Sequence, residues 1–172
     1  PDSVETYNNL GNALGEQREL DAAVDSFKKA LALKPDYAEA FGNLGGVLRE
    51  QGKTEEAARV LEESLALKPD NADALSNLGN VFYDRAEWDK ALAAYDRALG
   101  LEPDHVAAHE GKAQVLLLLG DFKQGWQEYE WRRRGNWKKK RDVPLPLWSG
   151  EEIKGKTVLI WSEQGAGDEI LF

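Results

Sequence analysis

The sequence lacks several residues and patterns on which common functional sites depend. It has no cysteine among its 172 residues, which excludes disulfide bonds and thiolate chemistry. Its two histidines, His105 and His109, share a helix face by their spacing, but no HExxH pattern surrounds them, so we interpret them as a surface pair that begins a helix. No apolar run approaches membrane-spanning length, and no signal peptide is visible. We therefore expect no metal site, no membrane partner and a cytoplasmic location.

Basic residues and tryptophan are scarce in the first part of the chain and concentrated after it. Residues 1–131 carry 25 acidic and 13 basic side chains, whereas residues 132–141 carry seven basic side chains and no acidic one. Only Trp88 of the six tryptophans precedes residue 126. We therefore expect residues 132–150 to be a basic linker that contains proline and tryptophan. An exposed linker, or an arm that pairs with acidic repeats, fits this segment better than a contact with nucleic acid or an anionic membrane, because the surrounding chain is acidic and offers no recognition fold.

One tetrapeptide returns along the chain at a fixed spacing. Residues 33–36 (Leu-Lys-Pro-Asp) are followed 34 residues later by residues 67–70 and, after another 34, by residues 101–104. The pair Pro1 and Asp2 lies in the same phase and no initiator methionine precedes it, so we expect an excised piece of a longer array. Alignment on the prolines gives units at residues 4–37, 38–71, 72–105 and, from 106, a divergent fourth.

Each unit contains two amphipathic runs, which predict two helices. Apolar residues recur at i, i+3, i+4 and i+7 in each half, and a short polar break separates the halves. The proline after the second run stops that helix. Small residues such as Gly11 and Ala23 mark the points where the paired helices are expected to approach closely. A single unit buries too little surface to fold alone, so stacked units supply a continuous core.

The repeated positions resemble the tetratricopeptide repeat. In the first unit these positions are Tyr7, Leu10, Gly11, Ala23, Phe27, Ala30 and Pro35. The fourth unit departs from the pattern, because His109 takes the position of the large residue, Lys112 that of leucine and Gly125 that of the first alanine. The resemblance implies an all-α fold over residues 1–131, a right-handed superhelix of antiparallel helix pairs. The fourth unit would be a cap or a junction.

Tetratricopeptide arrays present their first helices on a concave face that usually binds a peptide, so the resemblance implies a protein–protein interaction scaffold that binds an extended segment. The predicted groove residues are Glu5, Asn9, Asn12, Glu16, Glu39, Asn43, Arg49, Glu50, Asp73, Asn77, Asn80, Tyr83 and Asp84. Asn8, Gly42, Gly46, Ser76, Ala107, Glu110, Gln114 and Leu117 are expected on the same face. Six acids against one arginine disfavour the basic clamp with which chaperone-type arrays hold a C-terminal carboxylate, and they favour a basic or neutral partner. Solvated helix faces without a ligand are the alternative.

Three asparagines, Asn9, Asn43 and Asn77, occupy the same position in successive units, and Gly111 interrupts the series. A carboxamide is both donor and acceptor, so it can pair with a peptide backbone in either direction. The repeats of O-GlcNAc transferase are similar in carrying an asparagine ladder at this position. The alternative is that these side chains make only structural hydrogen bonds within and between helices.

The last thirty residues follow a different pattern. Residues 143–148 contain two prolines and are expected to be extended, whereas the run Thr-Val-Leu-Ile-Trp at residues 157–161 predicts a short buried strand. A glycine-rich turn follows at residues 163–168. We interpret residues 151–172 as the truncated first βα unit of an α/β domain. Because a lone parallel strand needs neighbours, pairing with a second copy through this segment is one expectation.

The stretch from Gly125 to Asp168 resembles bacterial proteins in which tetratricopeptide repeats precede a heptosyltransferase-like glycosyltransferase domain of the GT-B type. The resemblance implies that Asp168 is a catalytic base and that the parent protein uses a nucleotide sugar; the residues alone fit an ordinary N-cap at Asp168 equally well. The alternative function is therefore the acceptor-selecting front part of a glycosyltransferase. The nucleotide-binding half is missing from these 172 residues, so we expect the chain itself to be inactive and to need no cofactor.

Overall fold

The computed structural model describes residues 3–131, which form four successive pairs of helices. The pairs are α1 (Val4–Glu16) with α2 (Leu20–Leu33), α3 (Ala38–Glu50) with α4 (Thr54–Leu67), α5 (Ala72–Asp84) with α6 (Trp88–Leu101), and α7 (Val106–Leu118) with α8 (Phe122–Tyr129). The predicted all-α fold of antiparallel helix pairs is confirmed for these residues. The predicted linker, the βα unit, its pairing with a second copy and Asp168 lie outside the described residues.

The helix starts follow from polar side chains placed just before them. The Ser3 hydroxyl accepts a hydrogen bond from the backbone N–H of Thr6 at the start of α1. Asn71, His105 and Asp121 cap α5, α7 and α8 in the same way. Such caps satisfy backbone donors that have no partner within the helix.

The turn inside each pair needs one residue in the left-handed backbone region. Gly52 and Gly120 supply it in the second and fourth pairs, with φ of 75° and 85°. Arg18 and Ala86 occupy the equivalent positions in the other two pairs, with φ of 65° and 56°. Side chains with a Cβ are disfavoured in this region, so these two turns carry backbone strain that the glycine turns avoid.

The close approach of paired helices at small residues is confirmed. A Cβ added to Gly11 would lie 2.6 Å from the Phe27 ring, and one added to Gly79 would lie 2.5 Å from the Tyr95 ring. Ala23, its equivalents in the next two pairs and both of these rings are fully buried. In the first three pairs, the first helix therefore rests directly on the large side chain of the second, which fixes the spacing of the two helices.

Candidate binding groove

The first helices of the four pairs form one layer. α1 contacts α3, α3 contacts α5 and α5 contacts α7, while each second helix also packs on the first helix of the next pair. All thirteen predicted groove residues lie on α1, α3 and α5. We call the exposed side of this layer the first-helix face, defined by those thirteen residues.

The part of the first-helix face on α1 is exposed and acidic. Glu5, Asn9, Asn12 and Glu16 are all exposed to solvent. A hydrogen bond from its own backbone amide, and secondarily one from Ser3, lowers the pKa of Glu5. This carboxylate is therefore negatively charged at neutral pH and can attract a basic side chain.

A chain of hydrogen bonds joins α1 to α3 on the same face. Asn8 is 1% exposed, donates from Nδ2 to Glu39 Oε1 at 2.9 Å, and accepts from Asn43 Nδ2 at 3.1 Å. The expectation that Asn8 is displayed in the groove is therefore wrong, because it fills the space between two helices and is satisfied there. Asn43 uses one of its amide hydrogens in this bond, which agrees with the alternative that the asparagine series makes structural hydrogen bonds between helices. Ser76 and Gly42, also expected on the face, are buried as well.

Arg49 is the one basic residue among the thirteen, and a carboxylate already neutralises it. Its Nε lies 2.6 Å from Asp84 Oδ2, which joins α3 to α5. A second ion pair joins Arg18, in the first turn, to Glu50 at 2.8 Å. The thirteen residues contain six carboxylates and one arginine, so the first-helix face keeps an excess of negative charge, although Arg18 pairs with Glu50 and the charge of Lys34 acts on Glu5.

His105 connects the third pair to the fourth and holds Asp73. Its Nδ1 accepts a hydrogen bond from the Ala108 backbone at 3.1 Å, so Nε2 carries the proton and donates to Asp73 Oδ1 at 3.0 Å. The bond to His105 lowers the pKa of Asp73, and the same bond raises the pKa of His105. The side chain of His105 is 8% exposed, so the histidine begins a helix as expected but is not a surface residue.

His109 is likewise buried and belongs to a charged network. Its Nδ1 contacts Glu128 of α8, its Nε2 donates to the Pro103 carbonyl at 2.9 Å, and the Trp131 ring stacks on it at 3.9 Å. Lys112 Nζ lies 2.8 Å from Asp96 and 3.1 Å from Glu128. Two departures of the fourth unit from the repeat pattern, at positions 109 and 112, are therefore partners of one carboxylate. The sequence signal was the loss of two apolar signature residues within a single helix.

Tyr95 makes a hydrogen bond beneath the first-helix face. It is fully buried, and its hydroxyl donates to Asn80 Oδ1 at 2.8 Å. Burial raises the pKa of Tyr95, so the phenol stays protonated and acts as the donor. Tyr83 lies one helical turn after Asn80 on α5, and its ring packs edge-on against Trp88 with the ring centroids 5.4 Å apart.

Comparison with known proteins agrees with this geometry. Models described as tetratricopeptide repeat match residues 4–37, 26–59 and 76–129, and one described as TPR repeat matches residues 45–85. Residues 4–129 are tetratricopeptide repeats. The four helix pairs are accordingly called repeats 1 to 4 below, and the fourth is a divergent member of the same series.

Known proteins with similar repeats differ widely in size. The protein FlbA of Caulobacter vibrioides is 38% identical over 63 residues, which cover 36% of this chain and 11% of FlbA. The pilF structure from Pseudomonas aeruginosa gives a TM-score of 0.67 at 26% identity, over 78% of this chain and 62% of that one. A mutant O-GlcNAc transferase of Thermobaculum terrenum gives 0.64 at 27% identity, over 66% and 22%. The chain therefore spans only a small part of FlbA and of the transferase.

A metal centre and a membrane-spanning helix are both absent from residues 3–131. Residues 3–131 contain no group of three or more histidine, cysteine or acidic residues arranged to hold a metal ion. No helix in this part of the chain is both long enough and apolar enough to cross a membrane.

Proposed function

We propose that this tetratricopeptide array is a protein–protein interaction scaffold whose first-helix face binds an extended segment with basic or neutral side chains. The observation that carries the proposal is the charge of that face. Its one arginine is paired with Asp84, while Glu5 and Glu16 are exposed and the structure shows no ion pair at either of them. Complementary charge sets partner choice and association rate more than affinity, so the face would select against acidic segments.

Asparagine side chains would supply the part of recognition that does not depend on charge. Asn9 and Asn12 are exposed on α1, and Asn77 is half-buried on α5. Each can donate to a carbonyl and accept from an N–H of an extended chain. Asn43, which is bonded to Asn8, would contribute its carbonyl oxygen and its second amide hydrogen.

The test compares labelled peptides of alternating lysine and serine, of alternating glutamate and serine, and of glycine and serine. We expect the lysine peptide to bind most tightly and the glutamate peptide most weakly. The double variant Glu5→Gln/Glu16→Gln should weaken the lysine peptide about three- to tenfold, and added salt should reduce that difference. The matched control, Glu62→Gln/Glu63→Gln, removes the same charge from exposed positions on α4 and should change little. Tighter binding of the glutamate peptide would contradict the proposal.

A second candidate function is the acceptor-selecting part of a tetratricopeptide-fused glycosyltransferase. It is supported by the resemblance of the last residues to the start of a heptosyltransferase-like domain and by the structural likeness to an O-GlcNAc transferase. Asp168 and a nucleotide sugar belong to this proposal. The 172-residue chain is expected to show no shift of its NMR signals with a uridine diphosphate sugar. If this chain released uridine diphosphate from the sugar donor, and the Asp168→Asn variant did not, the catalytic part would already be present in the 172 residues.

A further inference from the structure

Among the second helices of the four repeats, α8 is the least buried. It has eight residues, of which Gly125 alone is buried, whereas α2, α4 and α6 each have fourteen residues and bury four or five of them. Phe122 and Trp126 of α8 remain 62% and 49% exposed. Apolar burial therefore attaches α8 to α7 only weakly, and its polar contacts carry more of the attachment.

Both ring nitrogens of His109 face groups that accept hydrogen bonds. Nε2 lies 2.9 Å from the Pro103 carbonyl oxygen, which has no hydrogen to donate, so Nε2 carries a proton. Nδ1 contacts a carboxylate oxygen of Glu128 on α8. That contact needs a second proton, because a bare Nδ1 and an ionised carboxylate would otherwise face each other with lone pairs. The side chains of His109 and Glu128 are 9% and 20% exposed, so water cannot readily solvate those lone pairs.

The neighbouring charges place the second proton on His109. Lys112 Nζ lies 2.8 Å from Asp96 of α6 and 3.1 Å from Glu128. Burial opposes the charge on Lys112, but its hydrogen bonds to Asp96 and Glu128 outweigh burial and raise its pKa. This positive charge keeps Glu128 ionised. A protonated His109 then balances the charges of the four side chains, and the Trp131 ring stacked on it at 3.9 Å favours a cation.

The other histidine of α7 belongs to a separate contact. His105 lies one helical turn before His109, and its Nε2 donates to Asp73 of α5. The charged partner of His109 is Glu128, and Lys112 and Asp96 are joined to His109 through that carboxylate. The two histidines can therefore be changed one at a time.

We propose that His109 is held as an imidazolium between Glu128 and the Pro103 carbonyl, and that loss of this proton at rising pH releases α8 from α7. Because docking of α8 takes up a proton, the contact is present while His109 is protonated and is lost as the pH rises. Repeat 4 is thus a pH-sensitive end of the array. This response goes beyond binding on the first-helix face and holds with or without a bound segment.

The test measures hydrogen-exchange protection factors, which are corrected for the intrinsic effect of pH, from about pH 5 to about pH 9, a range that brackets histidine titration. In the wild-type chain, protection of the α8 amides should fall about ten- to a hundredfold as the pH rises, the range of one hydrogen bond to a charged group. Protection in α1 to α6 should change much less. His109→Phe keeps a ring beneath Trp131 but cannot bind a proton, so α8 protection should become independent of pH. His105→Asn is the matched control, because it removes the other histidine, keeps a capping residue for α7 and should leave the response of α8 intact.

The ring nitrogens of His109 report its protonation directly in the wild-type chain, so the proposal remains testable if His109→Phe fails to fold. In a ¹⁵N-labelled sample, both nitrogens should carry protons at each pH at which α8 is protected. A neutral His109 ring with α8 still protected would overturn the proposal. An unchanged pH response of α8 in His109→Phe, or its loss in His105→Asn, would overturn it as well.

Discussion

Repeats 1 to 3 and repeat 4 hold their two helices together by different interactions. In the first three repeats, a glycine on the first helix rests against a buried phenylalanine, leucine or tyrosine on the second. In repeat 4 the glycine moves to the second helix, where Gly125 meets Leu117, and Glu128 joins α8 to His109 and Lys112. Repeats 1 to 3 thus join their helices by apolar burial, and repeat 4 adds a network of charged side chains to its buried apolar residues. The second kind of contact is sensitive to the loss of a single partner, and because its side chains are mostly buried it is only weakly screened by salt.

The largest effect is expected from the apolar contacts of the first repeats. Phe27→Ala should lower the free energy of unfolding by about 3–5 kcal/mol, because a fully buried ring is removed and a cavity remains. Phe122→Ala, at a side chain 62% exposed in repeat 4, should cost less than about 1 kcal/mol. Urea unfolding followed by circular dichroism measures both. Equal losses would remove the contrast between the two regions.

A smaller effect, confined to the end of the array, is expected from the charged network. Glu128→Gln should cost about 1–3 kcal/mol, because Lys112 and His109 lose a charged partner in a mostly buried setting. Hydrogen exchange should show faster opening of α8 and little change in α1 to α6. Glu63→Gln, exposed on α4, is the control with the same chemical change. Uniform loss of protection along the array would argue against a local network.

The left-handed turns give a third comparison that is independent of packing. Ala86→Gly should raise the free energy of unfolding by about 0.5–1 kcal/mol, since it removes strain at a φ of 56°. Gly52→Ala should lower it by about 1 kcal/mol or somewhat more, because nothing lies within 4 Å of the added Cβ and only the backbone is affected. Thermal melts of the two variants should therefore shift in opposite directions. A shift in the same direction would show that the turns are not equivalent.

The smallest effect is the pH dependence of the His105–Asp73 pair. The folded-state pKa of Asp73 is lowered, so its contribution is lost as the pH falls through that value; the pKa of His105 is raised above 6.5, so its contribution is lost as the pH rises through it. The pair therefore stabilises the fold between these two titrations. Asp73 is largely exposed, so the gain is below about 1 kcal/mol. In Asp73→Asn, NMR titration should give a lower pKa for His105; an unchanged pKa would contradict the pairing.

The architecture could be predicted from the sequence because the contacts that define it lie within a single repeat unit. The spacing of 34 residues, the prolines and pairs such as Gly11 with Phe27 concern contacts within one unit, which a repeated pattern reveals. The bond from Asn43 to Asn8 joins residues 35 positions apart in different repeats, so it depends on how the repeats are offset. The sequence of one repeat does not reveal that offset, so Asn8 was predicted to be a groove residue although it lies buried between two repeats.

The contacts of repeat 4 were hidden for a related reason. In the sequence, His109 and Lys112 are two separate departures from the repeat pattern. Their common partner, Glu128, comes into contact with both side chains only when α8 packs against α7. The hydrogen bond of the Tyr95 hydroxyl could not be predicted either, because a tyrosine at that repeat position matches the pattern simply as a large apolar residue. Hydrogen-bond partners across helices need a structure, whereas the apolar frame needs only the periodicity.

The central claim is that the first-helix face binds an extended basic or neutral segment. The most direct measurement is an NMR titration of the isotope-labelled chain with the lysine–serine peptide. We predict shifts in α1, α3 and α5, including the side-chain amides of Asn12 and Asn80, with little change in α2, α4 and α6. Shifts of equal size on the second helices, or a stronger response to the glutamate–serine peptide, would contradict it.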